Sequence, residues 1–136
     1  MKILLSLITI TICFEANPFV TMGYLHGKHF PDTGLNNSHP FVEIADTVLV
    51  YKNSFGRTAV AIYDTVGDEL FKLKIGITSG YKRTEIYNNH TYYQPLTVTK
   101  DASIMLAPVL EFNKQQTRFI FAILGNSVNI GVGFNF

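Results

Sequence analysis

The sequence predicts an all-β protein, an eight-stranded antiparallel up-and-down barrel that is expected to be transmembrane. Three observations favour this fold. Apolar and polar residues alternate with a period of two in several segments, which is typical of strands whose two faces meet different surroundings. No run of 18 apolar residues follows the start of the chain, so no transmembrane helix is predicted. Charged residues make up 15% of the chain, whereas soluble proteins average about 25%.

The first residues have the layout of a secretory signal peptide. Lys2 supplies a positive start, residues 3–14 form an uncharged and mostly apolar run, and Ala16 offers a small residue for cleavage. The run is too short to span a bilayer as a helix, which needs about 20 residues. We therefore expect a signal peptide over 1–16 and a single β-barrel domain over 17–136.

Eight strands are predicted in the remaining chain, and the last one is the clearest. Its even-numbered residues from Val128 to Phe136 are all apolar, and the residues between them are Asn or Gly. The segment 70–78 repeats this alternation in the middle of the chain. Short turns join most strands, but two links are long, at 30–40 and 81–100. The predicted strands lie near 18–27, 40–45, 47–54, 57–64, 69–79, 103–112, 117–125 and 127–136.

The alternation alone leaves open whether the apolar side of the barrel faces lipid or a soluble core. The Asn and Gly residues of the last strand suit the crowded interior of a small barrel. The chain also ends on an aromatic residue in an amphipathic strand, which resembles the C-terminal recognition signal of outer-membrane barrels. These features favour the cell outer membrane. The strands near 40–45 and 47–54 are shorter than the 9–11 residues of a tilted membrane strand. Their length favours the alternative, a soluble exported barrel that binds a small apolar ligand.

No metal, cofactor or nucleic acid is indicated. The histidines, at positions 26, 29, 39 and 90, have no known zinc spacing, and no glycine loop suited to phosphate appears. The single cysteine, Cys13, is interpreted as a small hydrophobe that is removed with the signal. The alternative is a lipidated cysteine, but Ile12 stands where lipoprotein signals usually carry a small residue. A net charge of +1 gives no electrostatic reason to expect nucleic acid.

A His and a Ser are expected to meet at one rim of the barrel. His29 and His26 lie near the end of the first strand, and Ser54 lies near the end of the third. These strands run in the same direction in an up-and-down barrel, so both segments approach the loop-rich rim. An imidazole that takes the proton of a hydroxyl lets its oxygen attack a carbonyl, which is the minimum requirement for acyl transfer. The same residues are also ordinary at strand ends.

Several segments resemble the lipid A palmitoyltransferase barrels. Residues 51–56, Tyr-Lys-Asn-Ser-Phe-Gly, are similar to that family's Phe-Lys-Asp-Ser segment. Residues 74–81 are similar to its glycine-rich fifth strand, and residues 105–110 to the proline-bearing sixth. The last three residues, 134–136, are similar to its terminal Phe-polar-Phe. The order and spacing agree over residues 24–136.

The resemblance implies an acyltransferase that moves a palmitoyl chain from a phospholipid to lipid A of lipopolysaccharide. It assigns the functional positions to His29, with His26 as the second choice, and to Asn53 and Ser54. Asn53 stands where the family carries Asp, and an amide has no negative charge to stabilise an imidazolium. This departure favours the alternative, a non-catalytic outer-membrane barrel that alters the cell surface or supports membrane integrity. Membrane lipids are the expected partners, and the barrel is expected to be a monomer.

Overall fold

The computed structural model describes residues 20–30 and 34–136, so the predicted signal peptide lies outside the described residues. No helix long and apolar enough to cross a membrane is found within those two ranges. The described chain forms ten strands. They are β1 (Val20–His29), β2 (Ser38–Ile44), β3 (Val48–Lys52), β4 (Thr58–Gly67), β5 (Phe71–Ser79), β6 (Thr84–Tyr87), β7 (His90–Tyr93), β8 (Ala102–Lys114), β9 (Thr117–Leu124) and β10 (Ser127–Asn135).

Eight of these strands close into an antiparallel barrel, which confirms the predicted architecture. Going round the barrel, the order is β1, β2, β3, β4, β5, β8, β9 and β10, and β10 pairs again with β1. The closing ladder runs from Thr21 opposite Asn135 to His29 opposite Ser127. Closure pairs both edges of the sheet, so neither is left open to another chain.

The strands β6 and β7 form a separate hairpin within the link between β5 and β8. The sequence predicted only a long link there, at 81–100. The hairpin ladder runs from Thr84 opposite Tyr93 to Tyr87 opposite His90. Asn88 and Asn89 form its turn with φ of 49° and 63°, the positive values that a tight two-residue hairpin turn requires.

The two ends of the barrel differ in their connections. Turns of two or three residues, at 45–47, 68–70 and 115–116, join strands at one end, which we call the short-turn rim. The other end, the loop-rich rim, carries the connections 30–37, 53–57, 80–101 and 125–126. Because β1 and β3 both run toward the loop-rich rim, the ends of these two strands lie there.

Side chains alternate between an apolar exterior and an interior that holds both polar and apolar residues. In β10, Ile130 is 61% exposed, whereas its neighbour Asn129 is fully buried. Exposed and buried residues alternate likewise in β4 and β8, whereas β3 is intermediate in burial from Val48 to Tyr51. Exposed apolar residues on the outer wall include Met22, Val60, Ile62, Phe71, Ile75, Ile77, Ile104, Leu106, Leu110, Phe112, Phe119, Phe121, Ile123, Ile130 and Phe134.

The interior is filled by side chains and holds a cluster of buried charges. An apolar layer in the middle consists of Ala61, Tyr63, Met105, Ala107, Val109 and Ala122. Toward the short-turn rim lies the charge network, defined here as Glu43, Lys72, Lys74, Glu111 and Arg118. Glu43 bonds to Lys74 Nζ at 2.5 Å and to Arg118 Nη1 at 2.6 Å, and Glu111 bonds to Lys72 Nζ at 2.8 Å. Each acid thus has a basic partner, as burial of charge requires.

Candidate functional site

His29, Ser54 and Asn37 meet at the loop-rich rim. His29 is the last residue of β1, points into the barrel and is only 2% exposed. Its Nε2 lies 2.9 Å from Ser54 Oγ, and its Nδ1 lies 2.9 Å from Asn37 Oδ1. The structure thus brings together two of the residues that the sequence selected and adds a third, Asn37, that it did not.

The two hydrogen bonds of His29 indicate which ring nitrogen carries the proton. Asn37 Oδ1 can only accept, so Nδ1 of His29 carries the proton and donates it. Nε2 is then an acceptor, and the Ser54 hydroxyl donates to it. A nucleophile bonded to a base, which a third group orients, is the arrangement that activates a hydroxyl for attack on a carbonyl. The orienting group here is an amide, as in the Cys-His-Asn variant of the catalytic triad.

The first loop holds Asn37 in place by bonds to both neighbouring segments. Asn37 O accepts a hydrogen bond from Gly27 N of β1 at 2.8 Å. Asn36 N donates to Ser54 O at 2.8 Å, and its side-chain Nδ2 donates to Asn53 O at 3.1 Å. The segment that carries the orienting amide is therefore bonded both to the strand of the base and to the turn of the nucleophile.

Asn53, the third residue that the sequence selected, bonds to the turn instead of to His29. Its Oδ1 accepts from the backbone N–H groups of Phe55 and Arg57, both at 3.0 Å. Its Nδ2 donates to Gly80 O at 2.8 Å, and the side chain is fully buried. The position therefore needs an acceptor and a donor together, which an amide supplies and a carboxylate does not.

An aromatic cluster supports the other side of the Ser54 turn. The Phe55 ring makes edge contacts with Tyr81, Tyr87 and Tyr92 at centroid distances of 6.2, 6.0 and 5.9 Å. Arg57 forms an ion pair with Glu85 of the hairpin. Burial raises the pKa of Tyr81 well above its ordinary value, so its hydroxyl stays neutral. The β6–β7 hairpin thus packs on the turn that presents Ser54.

The other histidines lie in different surroundings. His26 is exposed on the outer face of β1, and His90 is exposed in the hairpin. His39 is buried inside the barrel, with its ring centroid 6.4 Å from that of His29. Sequence reasoning did not single out His39. The alternation of β2 could have found it, because His39 shares the inner face with Phe41 and Glu43.

No group of three or more His, Cys, Asp or Glu side chains that could hold a metal ion is found in the part of the chain that the structure describes. Comparison with protein-family models, with curated proteins and with solved structures returns no match to this chain. Function is therefore inferred from the geometry of this site, from the surface of the barrel and from the motifs in the sequence.

Proposed function

We propose that the protein is an outer-membrane barrel that transfers a fatty acyl chain from a phospholipid to lipid A. The observation that carries the proposal is the Ser54–His29–Asn37 arrangement at the loop-rich rim. Its two hydrogen bonds, both 2.9 Å, join nucleophile, base and orienting group in the order that acyl transfer needs. The resemblance of residues 51–56 to the palmitoyltransferase segment supports the same assignment.

The surface of the barrel supports a membrane location. The outer wall between the rims is formed mainly by apolar side chains, such as Ile62 and Ile77, which are 59% and 60% exposed. Charged side chains such as Lys74 and Arg118 face inward, where acids pair with them. Apolar residues outside and polar residues inside are the pattern of a barrel that lipid surrounds. The protein should fractionate with outer membrane and migrate differently in gels before and after boiling; recovery as a soluble protein would exclude this location.

The reaction proceeds in two steps. Ser54 Oγ attacks the carbonyl carbon of the phospholipid ester while His29 Nε2 takes the hydroxyl proton. The lysophospholipid leaves as an alcohol with that proton, and the acyl chain stays on Ser54 as an ester. A lipid A hydroxyl then attacks this ester and gives its proton to His29, which returns it to Ser54 Oγ. Asn37 holds the imidazole in orientation through both steps.

Phospholipid would reach the site through the wall beside Pro108, as in the resembled family, where proline-weakened wall sites admit lipid. Pro108 has no N–H to donate. The ladder between β8 and β9 runs from Val109 opposite Ala122 to Lys114 opposite Thr117 and does not extend to Pro108. Closer to the loop-rich rim, β8 stays paired with β5 on one edge, but its other edge is bonded to a link instead of to β9. Ile104 N there donates to Leu96 O at 2.8 Å.

The charge of the loop-rich rim suits an anionic acceptor. Described residues at this rim include six basic side chains, and only Glu85 and Asp101 are acidic. Glu85 is already paired with Arg57. An excess of cations beside the lipid surface attracts anionic head groups, and the phosphates of lipid A are anionic. The basic residues are Lys28, Lys52, Arg57, Lys82, Arg83 and Lys100.

Mass spectrometry of lipid A tests the activity directly. Lipid A should gain one acyl chain in cells that make the natural chain. Ser54→Ala and His29→Ala should each abolish the gain, because base assistance alone contributes about 10²–10⁴-fold. Ser38→Ala and His26→Ala are matched controls at the same rim and should retain it. Unmodified lipid A with a folded, inserted natural chain would exclude the acyltransferase.

A non-catalytic barrel that alters the cell surface is the second candidate. The contacts of His29 favour it, because both side chains bonded to the ring, Asn37 and Ser54, are neutral. A neutral amide stabilises an imidazolium less than a carboxylate does. Under this candidate, lipid A mass is unchanged, whereas detergent sensitivity of the cells changes equally with the natural chain and with Ser54→Ala.

A further inference from the structure

Two polar atoms inside the barrel, below His29, have no hydrogen-bond partner among the described residues. They are Nε2 of His39 and Oδ1 of Asn129. His39 is 4% exposed and Asn129 is fully buried. Buried polar atoms are nearly always paired, with protein or with an ordered water. Two such atoms side by side therefore indicate that both form hydrogen bonds with a group that is not part of the described chain.

Both atoms lie beside Gly27, on the inner face of β1. A Cβ at this position would overlap Asn129 Oδ1 and would lie 3.3 Å from His39 Nε2. Asn129 Oδ1 thus takes the position that a side chain at Gly27 would need, and His39 Nε2 lies next to it. The two atoms are therefore no more than about 5.5 Å apart, so a single water oxygen in the space between them can lie within hydrogen-bond distance of both.

The other contacts of these side chains fix what the group must be. His39 Nδ1 faces Lys52 O at 2.8 Å, and a carbonyl can only accept, so Nδ1 carries the proton and Nε2 is an acceptor. Asn129 Nδ2 donates to Ser127 Oγ at 3.0 Å, which turns its Oδ1, also an acceptor, toward the space. Two acceptors that face one space need a partner with two donors.

We propose that this space is a binding site for one buried water molecule, which donates to His39 Nε2 and to Asn129 Oδ1. Water is the smallest group with two donors, and buried waters typically make two to four such bonds. It keeps His39 neutral, with Nδ1–H on the carbonyl of Lys52, two residues before Ser54. The site follows from the unpaired atoms and does not depend on the acyltransferase function.

Nuclear magnetic resonance can detect this water at the ring of His39. The full chain, with ¹³C and ¹⁵N in its histidines, is placed in phosphocholine detergent micelles, whose head groups have no O–H or N–H donor. The His39 ring proton between the two nitrogens should show a cross-peak to water with the sign of a long-lived contact. The ¹⁵N shift of Nε2 should be that of a hydrogen-bonded acceptor.

Two variants make the test specific. Asn129→Leu removes one acceptor and should abolish the water cross-peak. Gly27→Ala places a methyl group where Asn129 Oδ1 lies, which displaces that acceptor and should do the same, so the test survives if one variant fails to fold. Ser103→Ala changes a buried polar residue on β8 and should retain the cross-peak.

The proposal fails if the folded natural chain shows no water contact at His39. It fails equally if the contact persists in both folded variants. A contact that appears only after a hydroxyl-bearing glycolipid is added would also overturn it and would assign the space to a lipid hydroxyl.

Discussion

Replacement of Glu43 in the charge network tests how the interior of the barrel is stabilised. Glu43 is 3% exposed and accepts from three donors: the Tyr63 hydroxyl, Lys74 and Arg118. Glu43→Gln keeps the size of the side chain and removes its charge. Among the buried acids that the structure describes, Glu111 then remains beside Lys74 and Arg118, at 3.5 and 3.7 Å.

The loss of one buried acid should be costly. Removing one partner of a buried ion pair typically destabilises a protein by about 3–5 kcal/mol, because the other charge stays buried without compensation. Asp46 provides the matched control, since Asp46→Asn makes the same chemical change and its carboxylate also pairs with Arg118, at 3.2 Å. The Asp46 side chain is 46% exposed, so its pair should contribute at most about 1 kcal/mol.

The assay is urea unfolding of the full chain in lipid vesicles, followed by the gel shift between folded and unfolded forms. We expect Glu43→Gln to lower the free energy of unfolding by at least 2 kcal/mol more than Asp46→Asn, on the order of the difference between buried and exposed pairs. Burial raises the pKa of Asp46, with a further contribution from Glu43. Its ionised form is thus disfavoured in the fold, so Asp46→Asn should be neutral or slightly stabilising. Equal losses of unfolding free energy in the two variants would refute the inference that burial makes the ion pairs of Glu43 more stabilising than the pair of Asp46.

Two further predictions concern the wall and a turn. Ile130→Arg, in the middle of the outer wall, should destabilise the inserted barrel by about 2–4 kcal/mol. Phe112→Arg, near the short-turn rim, should cost about 0–1 kcal/mol. If both variants have the same free energy of unfolding in vesicles, the assignment of this wall to lipid is contradicted. At the short-turn rim, backbone N–H groups of Phe71 and Leu70 lower the pKa of the exposed Asp68. The ionised Asp68 therefore stabilises the fold above the unfolded pKa of about 4, and this stabilisation is lost as pH falls through the lower folded pKa. Between pH 6 and pH 2 the free energy of unfolding should fall less in Asp68→Asn than in the natural chain.

Sequence reasoning found the barrel because some wall strands, such as β5 and β10, alternate apolar with polar or small residues over most of their length. Residues 127–135 illustrate this, since their alternation fixed both the strand and its inner face. The β6–β7 hairpin was missed because a segment rich in Tyr, Asn and Thr has no apolar face. Its one local signal is the pair Asn88-Asn89, two residues that tolerate positive φ, between Tyr-containing runs.

The candidate site was predicted only in part, because a strand pattern does not determine the path of a loop. Strand direction was enough to bring His29 and Ser54 to one rim. The backbone carbonyl of Asn37 accepts a hydrogen bond from Gly27 N, and this bond holds Asn37 beside β1, where it contacts His29. A bond between residues ten positions apart, across a loop, has no signature in a single sequence. The role of the neighbouring Asn53 was likewise hidden, since its partners are backbone groups.

The different contacts of Asn37 and Asn53 lead to a last prediction. The family resemblance, in which Asp stands at position 53, implies that Asp there would improve acyl transfer, whereas the contacts of His29 favour position 37 for such a gain. Asn37→Asp places a carboxylate on His29 Nδ1, and a charge-assisted hydrogen bond is roughly twice as strong as a neutral one, so we expect a rise of about tenfold. Asn53→Asp replaces the donor to Gly80 O by an oxygen and should lower stability without raising activity.

Both variants are compared with the natural chain by mass spectrometry of lipid A, using purified barrels at equal folded concentration in vesicles. If Asn53→Asp raises the rate and Asn37→Asp does not, the assignment of Asn37 as the orienting group is wrong. The reason is physical: only a side chain in contact with the imidazole can stabilise its charge with a bond of this strength. At 2.9 Å from Nδ1, Asn37 is in such contact, whereas both polar atoms of Asn53 bond to backbone groups.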